Sequence, residues 1–185
     1  MTQAVLSWNA ASNNQALIAK ETTYILNSIS AYRTAQDNKL PVADDIFFTK
    51  SLKGPTGIQL TAEHVMSGYA IWKFSKNQDA AKEFLKYLHT EANYRKFFES
   101  QKGFATPCTA KWESDKLWDV DPVMTPYKVA AKLGQSIGNA GPPNAKAQEG
   151  LSKYIITDMY AKAVQGMPAE ESVKWAESEL KKIYT

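Results

Sequence analysis

The stretch GYAIWKFSKNQDAAKEFLKYLHTEANYRKFFESQKGFATP, residues 68–107, changes its hydrophobic period partway along. Its opening belongs to a longer run, HVMSGYAIWKF, rich in Val, Tyr, Ile and Trp, which predicts an extended strand over residues 64–74. Ser75 and Asn77 then stand where helix caps are wanted. Ala81, Phe84, Leu85 and Leu88 recur at i, i+3, i+4 and i+7, which predicts one buried helical face. A second helix is expected over about 91–100, with Tyr94, Phe97 and Phe98 inward. KGFATPCTA closes the stretch as a loop.

Upstream, residues 13–19 predict a short helix capped by Ser12 or Asn13. TTYILNS, residues 22–28, is β-branched and aromatic and predicts a strand that runs into a helix over ISAYRTAQD. DDIFFTK, residues 44–50, predicts another short strand, and Gly54, Pro55 and Gly57 mark a loop after it. Downstream, DPVMTPYKVAAKLGQS holds a helix broken near Gly134, and GNAGPPNA is a loop because its Gly and Pro residues oppose regular structure. One long helix is expected over about 146–165, with Leu151, Tyr154, Ile155 and Met159 on one side and Gly166 as its stop. The last helix starts near Pro168, with Glu170 and Glu171 at its positive end. Val173, Ala176, Leu180 and Ile183 are its expected inner stripe. Helix dominates, the strands are few and short, and no repeat is visible.

At 185 residues the chain can bury a sizeable core, and 44% hydrophobic with 22% charged residues is ordinary for a soluble domain. A net charge of +3, with the lysines scattered, argues against nucleic acid. The single cysteine, Cys108, forms no internal disulfide. No apolar run is long enough to span a bilayer, and no basic segment followed by an apolar one opens the chain as a signal peptide would.

Three stretches, in this order, resemble the carbohydrate-type (family 1) extracellular solute-binding proteins of ABC importers. They are SWNAASNNQALIAKETTYILNSISAYRTAQ, the quoted stretch with its Ser-Lys-Asn turn and Pro loop, and GPPNAKAQEGLSKYIITDMYAKAVQGMPAEESVKWAESELKKIY with its Glu-Glu joint. The resemblance implies an α/β, helix-rich, periplasmic-binding-protein-like fold of type II. Relatives are longer and carry a preceding βα lobe, so it also implies a truncated fold lacking most of the N-terminal lobe. About 1–60 and 120–185 would then be lobe-two elements, and about 61–119 the crossover and lobe-one elements. Strand edges left uncovered by that loss would be completed by a homodimer or by strand exchange. The implied function is capture of a sugar or other polyhydroxylated solute by hinge closure, outside the cytoplasm, for a membrane permease. The alternative is a helical protein-interaction module with no small-molecule ligand.

The residues themselves point to binding and not to catalysis. His64 and His89 are the only histidines, and no nucleophile motif or metal-ligand spacing is present, so no catalytic residue, metal or cofactor is expected. His89 suits a helix C-terminus, whereas His64 lies near the predicted cleft. Asn27, Ser28, Ser30 and Tyr32 follow a predicted strand, and the ends of strands are where open α/β sheets bind ligands. Their amides and hydroxyls both donate and accept, which suits hydroxyl recognition, and Tyr32 offers an aromatic face. The competing reading is a helix cap at Ser28 or Ser30. Ser67, beside Gly68, marks close approach of a ligand, or else a bulge. Asn139 and Asn144 belong to a third cleft segment by the resemblance, or to an ordinary loop. Trp8 with residues 12–14 could line the cleft or pack beside a cap. Trp72, Trp112, Trp118 and Trp175 are assigned to packing.

Overall fold

The structure is a computed structural model, and it describes residues 2–50, 52–57, 67–107, 109–129 and 141–185. His64, Cys108, Gly134 and Asn139 lie outside the described residues. The chain divides into two units, one made of Met1–Ile25 with Gln135–Thr185 and the other of Leu26–Gly134. Eight α-helices are described. The first unit holds α1 (Ser12–Ile18), α6 (Ala145–Ser152), α7 (Ile155–Val164) and α8 (Ala169–Tyr184). The second holds α2 (Ser30–Asp37), α3 (Gln78–Leu88), α4 (Glu91–Gln101) and α5 (Ala110–Glu113). Short 3-10 helices join them, among them Pro41–Asp45, Lys116–Asp119 and Pro122–Val129.

The helix-rich expectation holds and the strands do not. Among the described residues only an isolated bridge at Lys53 departs from helix, turn and coil. Residues 22–28 and 67–72 run without a ladder, and the first two residues of DDIFFTK lie in the 3-10 helix Pro41–Asp45 while the rest is coil. Val, Ile, Thr and aromatics favour strands only where a neighbour supplies ladder bonds and a face to pack on. No described segment does so here.

In the first unit, α7 and α8 pack as an antiparallel pair. Ile155, Ala176 and Ile183 are buried between them, with Met159, Trp175 and Leu180 against the cluster. Gly150 on α6 lets that helix approach, since a Cβ there would lie 3.3 Å from Leu180. The single long helix expected over 146–165 is two helices, because Tyr154 takes a left-handed conformation at φ 53°. The break resets the phase of the apolar positions. An unbroken helix would carry the inner face from Ala147 and Gly150 on to Tyr154. Instead Tyr154 turns out to solvent and Ile155 turns in. On α8 the inner stripe contains Ser172 in place of the expected Val173, which is exposed. Ser172 is buried at little cost because its hydroxyl donates to the Pro168 carbonyl at 3.2 Å.

The second unit is built on aromatic rings. Phe98 of α4 meets Trp112 at 5.8 Å and Trp118 at 5.2 Å, and Tyr94 meets Trp112 at 5.1 Å. The Trp118 indole donates to the Trp112 carbonyl at 2.9 Å, so its one polar atom is satisfied inside the core. Ile29 and the α2 residues Ala31, Tyr32 and Ala35 add a second buried layer, with Val42 and Ile46. Two expected inward rings are exposed: Phe84 on α3 and Phe97 on α4. No residue of α3 is fully buried. Of the tryptophans assigned to packing, Trp112 and Trp118 are buried and Trp175 half-buried, but Trp72 is exposed and stacks on Phe74 at 5.3 Å. Trp8 is also exposed.

Candidate functional site

Within the second unit a cavity of about 410 Å3 opens where α2, the end of α4 and the two later 3-10 helices meet. Each element contributes for a local reason. Helix α2 follows Ile29, whose complete burial anchors it, and presents Tyr32, Arg33 and Gln36 to the cavity. Helix α4 is closed by the cap residue Lys102, in a left-handed conformation at φ 47°, followed by Gly103 at φ 86°. A Cβ on Gly103 would fall 3.0 Å from the Met124 sulfur and 3.1 Å from Ile29, so only glycine lets the chain turn this close to the core. Asp121 precedes Pro122 and caps the turn by accepting from the Val123 amide at 3.1 Å. The floor is Phe98, Trp118 and Met124, all buried.

The rim is polar and internally bonded. Arg33 donates from Nε to the Lys102 carbonyl at 2.9 Å. Its Nη1 donates to Gln36 Oε1 and to Asp121 Oδ2, each at 2.7 Å. This ion pair joins residues 88 apart in sequence, with side chains only 14% and 19% exposed. Gln36 reaches the Tyr32 hydroxyl at 3.4 Å, and the Arg33 guanidinium lies 5.0 Å from the Tyr32 ring centre. Burial, followed by the Asp121 charge, raises the Tyr32 phenol above its ordinary value, so Tyr32 is a neutral hydroxyl donor and acceptor at neutral pH. Burial likewise pushes the Tyr127 phenol up. Tyr127 reaches Tyr32 through Phe48, in edge-on contacts of 5.4 and 6.0 Å.

The predicted site residues divide. Tyr32 lines the cavity. Asn27, Ser28 and Ser30 lie just before it: Asn27 accepts from the Ser28 amide at 2.7 Å, and the Ser28 hydroxyl lies 3.4 Å from that of Ser30. Neither serine caps α2, whose N-cap is Ile29. Ser67 is exposed coil. Asn144 belongs to the first unit and caps α6, accepting from the Ala147 amide at 3.1 Å. His89 terminates α3 with Nδ1 2.8 Å from the Leu85 carbonyl, as its position suggested. Arg33, Gln36 and Asp121 were missed. The first two were within reach, since Gln36 stands one helical turn from Tyr32. Asp121 gave no signal at that sequence distance.

No group of three or more metal-ligating side chains occurs among the described residues, and no described helix is long and apolar enough to cross a membrane. The arrangement offers a hydrogen-bonding rim over an apolar floor. Residues 1–126 match the model of a family described as bacterial extracellular solute-binding protein. No curated protein and no solved structure matches the chain.

Proposed function

Because the chain belongs to the bacterial extracellular solute-binding proteins, we propose that it captures a sugar or other polyhydroxylated small molecule for the permease of an ABC importer. The single observation carrying this reading is the family match over residues 1–126. The type II periplasmic-binding-protein-like fold and a periplasmic or extracytoplasmic setting belong to the same proposal. The division into two units supports a hinge mechanism. The chain passes from one unit to the other twice, after Ile25 and after Gly134. Differential affinity for the closed state drives the motion, and no covalent bond is made or broken.

Tyr32 with Asn27, Ser28 and Ser30, and Ser67, His64, Asn139 and Asn144, are the proposed solute contacts. A thermal-shift and calorimetric panel of neutral sugars and polyols, run beside amino acids and organic acids, tests the class. Selective stabilisation by a hydroxylated solute is expected. Selectivity for amino acids or organic acids, or turnover of any panel member, overturns it.

A further inference from the structure

We propose that residues 68–72, GYAIW, are a self-association edge: the segment pairs antiparallel with the same segment of a second copy of this chain, about a two-fold axis through Ala70. No solute takes part, so self-association and solute capture stand or fall separately.

Residues 67–72 have the composition of a strand but lie in coil, outside any ladder. Among the described residues, no hydrogen bond engages the backbone of residues 68–71. The Trp72 carbonyl accepts from the Ser75 amide at 3.0 Å, and the turn so formed ends the segment. A row of unpaired amides and carbonyls beside apolar side chains is a template for a second strand. The devices that blunt such an edge are missing, since SGYAIW carries no charge and no proline.

The side chains favour a copy of the same segment as the partner. Tyr69 rests edge-on against His89 at 5.5 Å and Ile71 is half-buried, whereas Gly68, Ala70 and Trp72 are exposed. Antiparallel pairing centred on Ala70 sets each Trp72 opposite the other copy's Gly68, and each Tyr69 opposite the other copy's Ile71. A Cβ built on Gly68 would meet nothing within 4 Å, so the indole has open ground to cover. An aromatic ring over a glycine and an aromatic facing a β-branched residue are favourable cross-strand pairs. Neither Thr22–Ser28 nor residues 44–50, the other stretches of strand composition, has a glycine or alanine to receive the ring. Tyr69, Trp72 and the Phe74 ring stacked on it are 64%, 70% and 80% exposed. They leave roughly 450 Å2 of ring surface open in each copy. That is about half of the ~800 Å2 that each side of a standard interface buries, which makes the dimer weak and concentration-dependent.

The test is sedimentation velocity of the full chain from about 1 to about 500 µM, where a reversible dimer with a dissociation constant of about 10–100 µM is expected. Trp72→Ser, at an exposed position, should weaken the dimer by about tenfold or more. Ala70→Lys sets two cations face to face on the axis and should leave a monomer throughout. In a Cys108→Ser chain, Ala70→Cys should cross-link to a dimer under mild oxidation, and Val173→Cys, exposed on the first unit, should not. A monomer at every concentration overturns the proposal. A dimer indifferent to both Ala70→Lys and Trp72→Ser, or equal cross-linking at positions 70 and 173, overturns it by placing self-association on another surface. Amide-exchange protection of residues 68–72 in a monomer overturns it in favour of pairing within one chain.

Discussion

The α7–α8 pair and the ring core of the second unit are both apolar, yet they are assembled in opposite ways. The first is local: Ile155, Met159, Ala176 and Ile183 lie within one helical hairpin and face each other by the 3.6-residue period. The second joins Tyr32, Phe98, Trp112, Trp118 and Met124 from five elements, and it is fastened by polar ties between residues 88 and 20 apart in sequence. Arg33 reaches Asp121, and Arg95 reaches Asp115 at 2.7 Å. A local seam loses little chain entropy on closing. A core of distant rings needs long loops to close first, so it depends on each large side chain being present. The cavity lies on the second kind of core, where elements that share no period leave a gap between them.

Trp118→Ala should give the largest effect, a loss of about 3–5 kcal/mol in urea unfolding, because it empties the centre of the ring core and frees the Trp112 carbonyl. Native-state amide exchange should show lost protection in α2 and α4, with α7 and α8 unchanged. Equal loss in all four helices would break the distinction between two separate cores. Ile155→Ala should cost about 2–4 kcal/mol and show the reverse pattern. Gly103→Ala sharpens the contrast at the cavity. A Cβ at φ 86° meets Met124 and Ile29 and should cost about 1–3 kcal/mol, read as a lower denaturation midpoint with no change in slope.

The smallest effect is electrostatic. The Arg95 hydrogen bond, helped by the Leu117 amide, holds the Asp115 carboxyl below its ordinary range. The folded state therefore binds this proton less readily than the unfolded chain does. The stabilisation is complete above the unfolded value and fades as pH falls through the folded one, below about pH 4. Urea midpoints measured at pH 7, 5 and 3 should fall with acid. Asp115→Asn should fall less steeply than the parent chain over the last step, and identical slopes would assign the acid sensitivity elsewhere.

How much was legible follows from the same contrast. The positions of α1, α2, α3, α4 and α8 could be read from periodicity and helix stops, but the expected caps were wrong: α1 begins at Ser12 after Ala11 and α2 at Ser30 after Ile29, and none of the five has a side-chain cap bond. So could the Gly166 stop after α7, at φ 107°, and the role of His89 at a helix end. These are properties of neighbours within a turn or two, where spacing alone sets which side chains meet. Tyr32 could be nominated as a site residue because it follows a polar strand-like stretch, and Gln36 could have been added from the helical period.

The amino-acid sequence by itself determined a helix-rich chain of this solute-binding family, with the positions of most of its helices. Tertiary structure alone decided that Thr22–Ser28 makes no ladder among the described residues, that the helix breaks at Tyr154, and that Phe84 faces solvent while Arg33 closes on Asp121. The reason is physical. A turn of helix satisfies its backbone from residues three or four away, whereas a strand, a ring core or an ion pair across 88 residues exists only when a distant partner arrives.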